Sequence, residues 1–501
     1  MYRVPGPRPS LLLVATALGL LLALPACDCN NGTTPPGDMG PDIDGKPTDA
    51  VVEGGTPASA HGILGRHSAL AAASGTLFVS AYEVRYGDLV LVSANTSDIS
   101  KVTEQVVDGV PTTTSPPSPG AYRDGITAEG DDVGQDTDIV VDSGGEPMIS
   151  YLDVTNRSVK FASRSAGKWT VHTVQQPAGA KEVVGRYTSL TLVDGKPALA
   201  YLALNIDGGS GVFNSELRWA AASKARPTAP ADWTITTIAS GQMSCQGLCA
   251  SDEACVVQQD GSSLCQKTGT GCSPQCLTDE ACVNGACVAI LPDTKLVDIP
   301  VATGLWPAAV VAGSTPVVLF YDRVKGNLMA ATQSSGTWTT SIIDGSATDR
   351  VGAFCSAVVD SASTIHVAYQ DETAYALLYA QVDPATLSTK LKETIDDGVR
   401  PDGTHPVGAD SALVVEPSGK VRVVYQDAQN ADLLTAVRDG PNSWTPKTAS
   451  DPDLGRLLKG GARGYGFYSD LVVEGGKVYG STFYFDPSAT PKGGLELFEV
   501  Q

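Results

Sequence analysis

Beyond residue 60 short apolar runs alternate with turn residues, and the pattern repeats along the chain. Val133 onward reads VGQDTDIVVDSGGEPMISYLD and Val184 onward VGRYTSLTLVDGKPALAYLA. Val351 onward reads VGAFCSAVVDSASTIHVAYQD and Val407 onward VGADSALVVEPSGKVRVVYQD. Weaker copies start at Leu64, Thr303 and Tyr465, which makes seven. Each copy is an apolar run, a tight turn and a second, alternating run, the signature of two antiparallel strands. A third run follows, such as SVKFASRS from Ser158, NLMAATQS from Asn327 or DLLTAVRD from Asp432. A further turn then leads through Trp169, Trp233, Trp338 or Trp444 into a fourth. Helical periodicity is nearly absent after the first 26 residues.

Four strands per copy, in seven copies of roughly 45–60 residues, predict an all-β chain folded as a seven-bladed β-propeller. The last copy ends with its third strand, GLELFEVQ. Natural sheets avoid a bare edge, so residues 49–64 are expected to add the missing strand and close the ring. The layout resembles the sialidase-like propellers. Their S-x-D-x-G-x-T-W boxes are echoed only in SGTW from Ser335 and DGPNSW from Asp439. The resemblance implies, as an alternative function, a glycoside hydrolase with Arg66, Arg186 and Arg350 as an arginine triad near Tyr187.

The N-terminus changes the setting. Arg3 and Arg8 precede a run of about 14 residues, Leu11–Leu24, too short for a membrane-spanning helix but right for an export signal. It ends in Leu24-Pro25-Ala26-Cys27, which resembles the bacterial lipobox, although Pro25 departs from the usual small residue. That resemblance implies cleavage before Cys27, lipidation of its thiol and anchorage to a membrane outside the cytoplasm, at the periplasmic face or the cell surface. Residues 27–60 then form a Gly-, Pro- and Asp-rich tether that has too little apolar surface to fold. Blades 1–3 are expected in 61–241, a cysteine-rich insertion in 242–291 and blades 4–7 in 292–501.

Eight of the eleven cysteines fall in that insertion, as Cys245, Cys249, Cys255 and Cys265, then Cys272, Cys276, Cys282 and Cys287. The C-x3-C-x5-C spacing and the shared DEACV mark a tandem duplication that looks like small EGF-like or knottin-like modules. In an exported protein these are expected to be disulfides, with three possible pairings per module, rather than zinc ligands. Cys355 occupies the Ser/Thr position of the repeat and reads as a small buried residue.

The net charge of −21 argues against nucleic acid as a partner. No phosphate-binding loop, nucleophile elbow or His-rich cluster is present, so no cofactor or metal is expected. Asp153, Asp322, Asp371, Asp427 and Asp486 recur with the repeat and are expected to cap turns. The two residues after each repeat's first glycine vary instead, and they should ring the mouth of the central channel. From them come the ligand-binding candidates Arg66, His67, Asp136, Arg186, Tyr187, Trp306, Phe354, Asp410 and Tyr468. Aromatic and charged groups in one concavity suit a protein or glycan ligand. The sequence therefore reads as a binding module more readily than as an enzyme.

Overall fold

The repeated runs fold into seven antiparallel sheets. The computed structural model describes residues 62–500 except 112–121, 259–261, 274, 292–298, 347, 446–455, 459 and 461. The blades span residues 64–108, 133–175, 183–243, 303–344, 351–396, 407–458 and 464–500, their strands paired in chain order from the innermost outward. Each innermost strand packs on the next, and that of blade 7 (Gly464–Glu474) packs on that of blade 1 (Leu64–Ala73), so the ring closes. The chain is a seven-bladed β-propeller. Among the described residues blade 7 has three strands. Of the segment 49–64, only 62–64 are described. Leu64 opens the innermost strand of blade 1 and pairs with Glu83 in the same blade. The rest of the expected closing strand, like the export signal and Cys27, lies outside the described residues.

The repeat's polar residues join the blades. The buried tyrosine of Y-x-D donates its hydroxyl to an acid ending the outer strand of the preceding blade: Tyr151 to Asp108 (2.7 Å), Tyr369 to Asp344 (2.6 Å) and Tyr425 to Asp396 (2.9 Å). The aspartate two residues on caps the next turn. Asp153 accepts from the Asn156 amide, Asp371 from Thr373 and Ala374, and Asp427 from Gln429 and Asn430. Asp322 and Asp486 do likewise for Lys325 and Ser488. Between blades 1 and 2 the fully buried Arg123 makes a two-pronged pair with Asp88 (2.6 and 2.9 Å), and the Tyr122 hydroxyl bridges Asp88 and Glu83.

All eight cysteines of the insertion are in disulfides, first to third and second to fourth in each module: 245–255, 249–265, 272–282 and 276–287. Cys355 is free and buried, and burial pushes its thiol up to about 12.

Candidate functional site at the mouth of the channel

The seven innermost strands share a local deformation that builds the site. The repeat glycine has φ between +94° and +123° in every copy, and the residue two positions later has φ between +44° and +53°. At Gly134 an added Cβ would lie 2.9 Å from the Leu89 backbone of blade 1, so only glycine fits against the neighbouring blade. The pairing register slips on either side of the intervening residue, as at Val133/Gln135 and Gln135/Asp138, which marks a β-bulge. The left-handed positions are His67, Asp136, Tyr187, Trp306, Phe354, Asp410 and Tyr468. A left-handed conformation is costly for bulky side chains and persists only where the surroundings enforce it.

Part of that enforcement is a latch between blades. The hydroxyl or thiol following the left-handed residue donates to the carbonyl of the corresponding residue in the preceding blade. Ser68 reaches Tyr468 O (3.1 Å), Thr188 reaches Asp136 O (2.6 Å), Cys355 reaches Trp306 O (2.9 Å) and Ser411 reaches Phe354 O (3.1 Å). Cys355 thus performs the task of a serine. One step deeper a second girdle satisfies amides on the channel edge. Asp470 accepts from Leu70 N (2.7 Å), Asp138 from Leu190 N (2.6 Å), Ser189 from Ala309 N and Ser356 from Leu413 N.

The seven left-handed side chains converge on an open cavity of roughly 220 Å³, whose lining also includes Arg186, Phe467, Ile299 and the latch residues Ser68, Thr188 and Cys355. Trp306 lies 4.4 Å from Phe354 and 5.5 Å from Tyr187 between ring centroids, forming an aromatic wall. His67 and Tyr468 make a second aromatic pair at 4.8 Å. Charge is concentrated at Asp136, which sits 2.5 Å from Arg186 Nε and 3.2 Å from His67 Nδ1. Burial alone would raise the Asp136 carboxyl, but the Arg186 charge, the His67 hydrogen bond and the Tyr187 amide bring it down to about 2. Asp410 accepts from the Tyr468 amide at 2.9 Å, the same bond between blades 6 and 7 that Asp136 makes between blades 2 and 3.

The mouth therefore gathers eight of the nine candidates. Arg66 is the exception. Its guanidinium lies 6.0 Å from the Phe483 ring and is not part of the cavity lining. The left-handed residue lines the cavity in all seven copies, whereas Arg66, one position earlier, pairs through its backbone with Tyr82 and lies against Phe483 of blade 7. Arg186 and Phe467 alone among those preceding residues reach the lining. Arg350 is exposed, so the three arginines considered as a triad are not brought together in the mouth. Phe467, which follows the repeat glycine of blade 7, lines the cavity as expected of that position, and Pro307 and Ile299 line it without having been singled out in the sequence.

No protein-family model matches the sequence, and no curated protein matches it. Among solved structures, the GH93 α-L-arabinofuranosidase of Fusarium graminearum in complex with arabinobiose is similar at 11% identity, over 73% of this chain and 92% of that one, with a TM-score of 0.40. A GH43 β-1,3-galactosidase with galactodeoxynojirimycin is similar at 11% identity over 74% and 92%, with a TM-score of 0.34. A prolyl endopeptidase matches at 11% over 89% and 50%, with a TM-score of 0.40. At these values the likenesses say nothing about activity.

Proposed function

We propose that the protein is a lipid-anchored, extracytoplasmic binding module whose propeller mouth holds a neutral sugar unit of a glycan. The observation that carries this reading is the Tyr187–Trp306–Phe354 wall sharing one small cavity with the carboxylates of Asp136 and Asp410. A sugar ring offers an apolar face to an aromatic wall and hydroxyl donors to carboxylates, so both halves of the cavity are used. Drug-sized sites run to roughly 300–1,000 Å³, and this smaller volume suits one or two sugar rings. Among the described residues Arg186 is the one arginine or lysine in the lining, and it is held by Asp136, which favours a neutral over an acidic sugar. Binding is favoured over hydrolysis because Asp138, the carboxyl that burial pushes up to about 7, is turned to the Leu190 amide and lies outside the lining.

The test is a glycan array, with fluorogenic glycosides in parallel, on the detergent-solubilised full chain. Trp306→Ala should weaken array binding at least ten-fold, as expected when a central aromatic anchor contributing about 2 kcal/mol is removed. Its circular dichroism should stay that of the parent. Turnover of a glycoside would replace this reading with glycoside hydrolysis. An array silent for the parent chain would remove the carbohydrate reading altogether.

Anchorage has its own test. Cells expressing the chain and fed a labelled fatty acid should incorporate label, and Cys27→Ala should abolish it and move the protein to the soluble fraction. Retention of label by that variant would refute the lipobox reading.

A further inference from the structure

The two disulfide modules are duplicates in sequence but are built into the molecule differently. Cys245, Cys255 and Cys265 of the first are 0%, 5% and 6% exposed. They share an apolar cluster with Leu202, Leu305 and Tyr321, and Tyr187, Trp306 and Phe354 pack against it. The sulfurs of the first module therefore belong to the apolar body that backs the aromatic wall. All four cysteines of the second module keep partial exposure, and its Leu277 is 68% exposed.

The propeller is also shaped to receive the first module. The second and third strands of blade 3 (Lys196–Gly209 and Val212–Ala222) are longer than their counterparts in the other blades, and the hairpin tip accepts the Cys265 amide on Gly211 O at 2.9 Å. A Cβ at Gly211 would lie 2.2 Å from Cys265 O, so the approach requires glycine. Gln242 Nε2 donates to Ser263 O (2.9 Å), and Ser244 N to Val301 O (3.2 Å). Lys181 donates to Leu248 O from the side of blades 2 and 3. Ile299, eight residues beyond the insertion's last described strand (Ala286–Leu291), lines the mouth itself.

We infer that the first disulfide module is a working wall of the binding mouth: it positions Tyr187 and Trp306, and ligand affinity depends on its bridges, whereas the bridges of the second module, whose last strand pairs with the first module, are not needed for the mouth. This rests on the carbohydrate reading only in the nature of the ligand. Positioning of the wall is independent of it.

The experiment compares two variants of the full chain, Cys245→Ala/Cys255→Ala and Cys272→Ala/Cys282→Ala. One readout is binding to an array of neutral gluco- and galacto-oligosaccharides. The other is amide hydrogen exchange in a peptide covering 303–312, which needs no ligand. The first variant should lose array binding at least ten-fold and exchange at least ten-fold faster in 303–312, and the second should match the parent in both. Should the first variant fail to fold, Gly211→Ala, which forces the module outward without touching a cysteine, should move both readouts in the same direction. Parent-like exchange in 303–312 for the first variant, or for Gly211→Ala where that stands in, would overturn the inference. If the parent itself binds no sugar on the array, the carbohydrate reading falls and the exchange result alone decides the inference.

Discussion

Replacing Arg186 by methionine is expected to cost the fold about 3–5 kcal/mol at pH 8, the usual consequence of leaving one member of a buried ion pair alone. Asp136 and Arg186 side chains are 5% and 3% exposed, and their closest atoms are 2.5 Å apart. Methionine fills a similar volume, so the loss reports charge rather than a cavity. The pH dependence makes the prediction specific. In the parent, Asp136 is held at about 2, below its unfolded value, so its contribution is present above about 4 and is lost as pH falls towards 2. In the variant, burial acts on Asp136 without Arg186 to oppose it, and the carboxyl moves above its unfolded value. The penalty should then be smallest in acid and grow as the pH rises. Urea titrations of both proteins at pH 5 and pH 8 measure it. Adding Asp136→Asn to the variant should recover much of the pH 8 loss, because the orphaned charge is gone. Equal destabilisation at the two pH values would show that Arg186 acts through packing alone.

That ion pair also shows what the sequence can and cannot reveal. The repeat, the strand order and the face on which variable residues collect are all legible, because they follow from hydrophobic period and turn spacing. The bulge is not. Left-handed positions are usually betrayed by glycine or asparagine, and here they are held by His67, Tyr187, Trp306, Phe354 and Tyr468. Without the bulge, the two residues after each repeat glycine look equivalent, so the sequence places Arg66 beside His67. The polar girdle left a signal that could have been used. Asp138 and Asp470 interrupt apolar runs at the position that Ser189 and Ser356 fill in other copies. Polar residues recurring in a hydrophobic register ask for a buried acceptor role. The tyrosine latches left one too, since VDG at Val107, IDG at Ile343 and IDDG at Ile395 each precede the next copy. Disulfide pairing is of another kind. Spacing leaves three possibilities per module, and only the fold chooses among them.

The girdle makes the second large prediction: the propeller should lose stability as pH rises from about 4 to about 7, opposite to the slope that Asp136 produces in acid. Asp138 and Asp470 each accept two backbone amides, their own neighbour's and one from the next blade, and those bonds favour the charged form. Burial outweighs them. It lifts Asp138 to about 7, with Asp470 adding like-charge repulsion, and lifts Asp470 to about 6. A carboxyl whose folded value lies above its unfolded value of about 4 stabilises the fold fully below pH 4 and ceases to do so as the pH passes the folded value. The window therefore runs from about pH 4 to about 6 for Asp470 and to about 7 for Asp138. Shifts of this size correspond to at most about 3–4 kcal/mol each, and water in the channel, to which both retain some exposure, lowers the realised figure. Glu83 and Asp153 are raised by burial in the same sense, while His366 and His172, lowered by burial, cost stability on the acid side. The melting temperature of the parent should accordingly peak near pH 4–5 and decline from there to about pH 7. In Asp138→Asn/Asp470→Asn the decline should flatten, leaving the smaller slope of Glu83 and Asp153. The slope is the quantity to compare, since asparagine keeps one of the two acceptor oxygens and shifts the absolute value at every pH alike. A double variant that declines as steeply as the parent would place the titrating groups elsewhere and make the girdle carboxyls ordinary hydrogen-bond acceptors, ionised throughout.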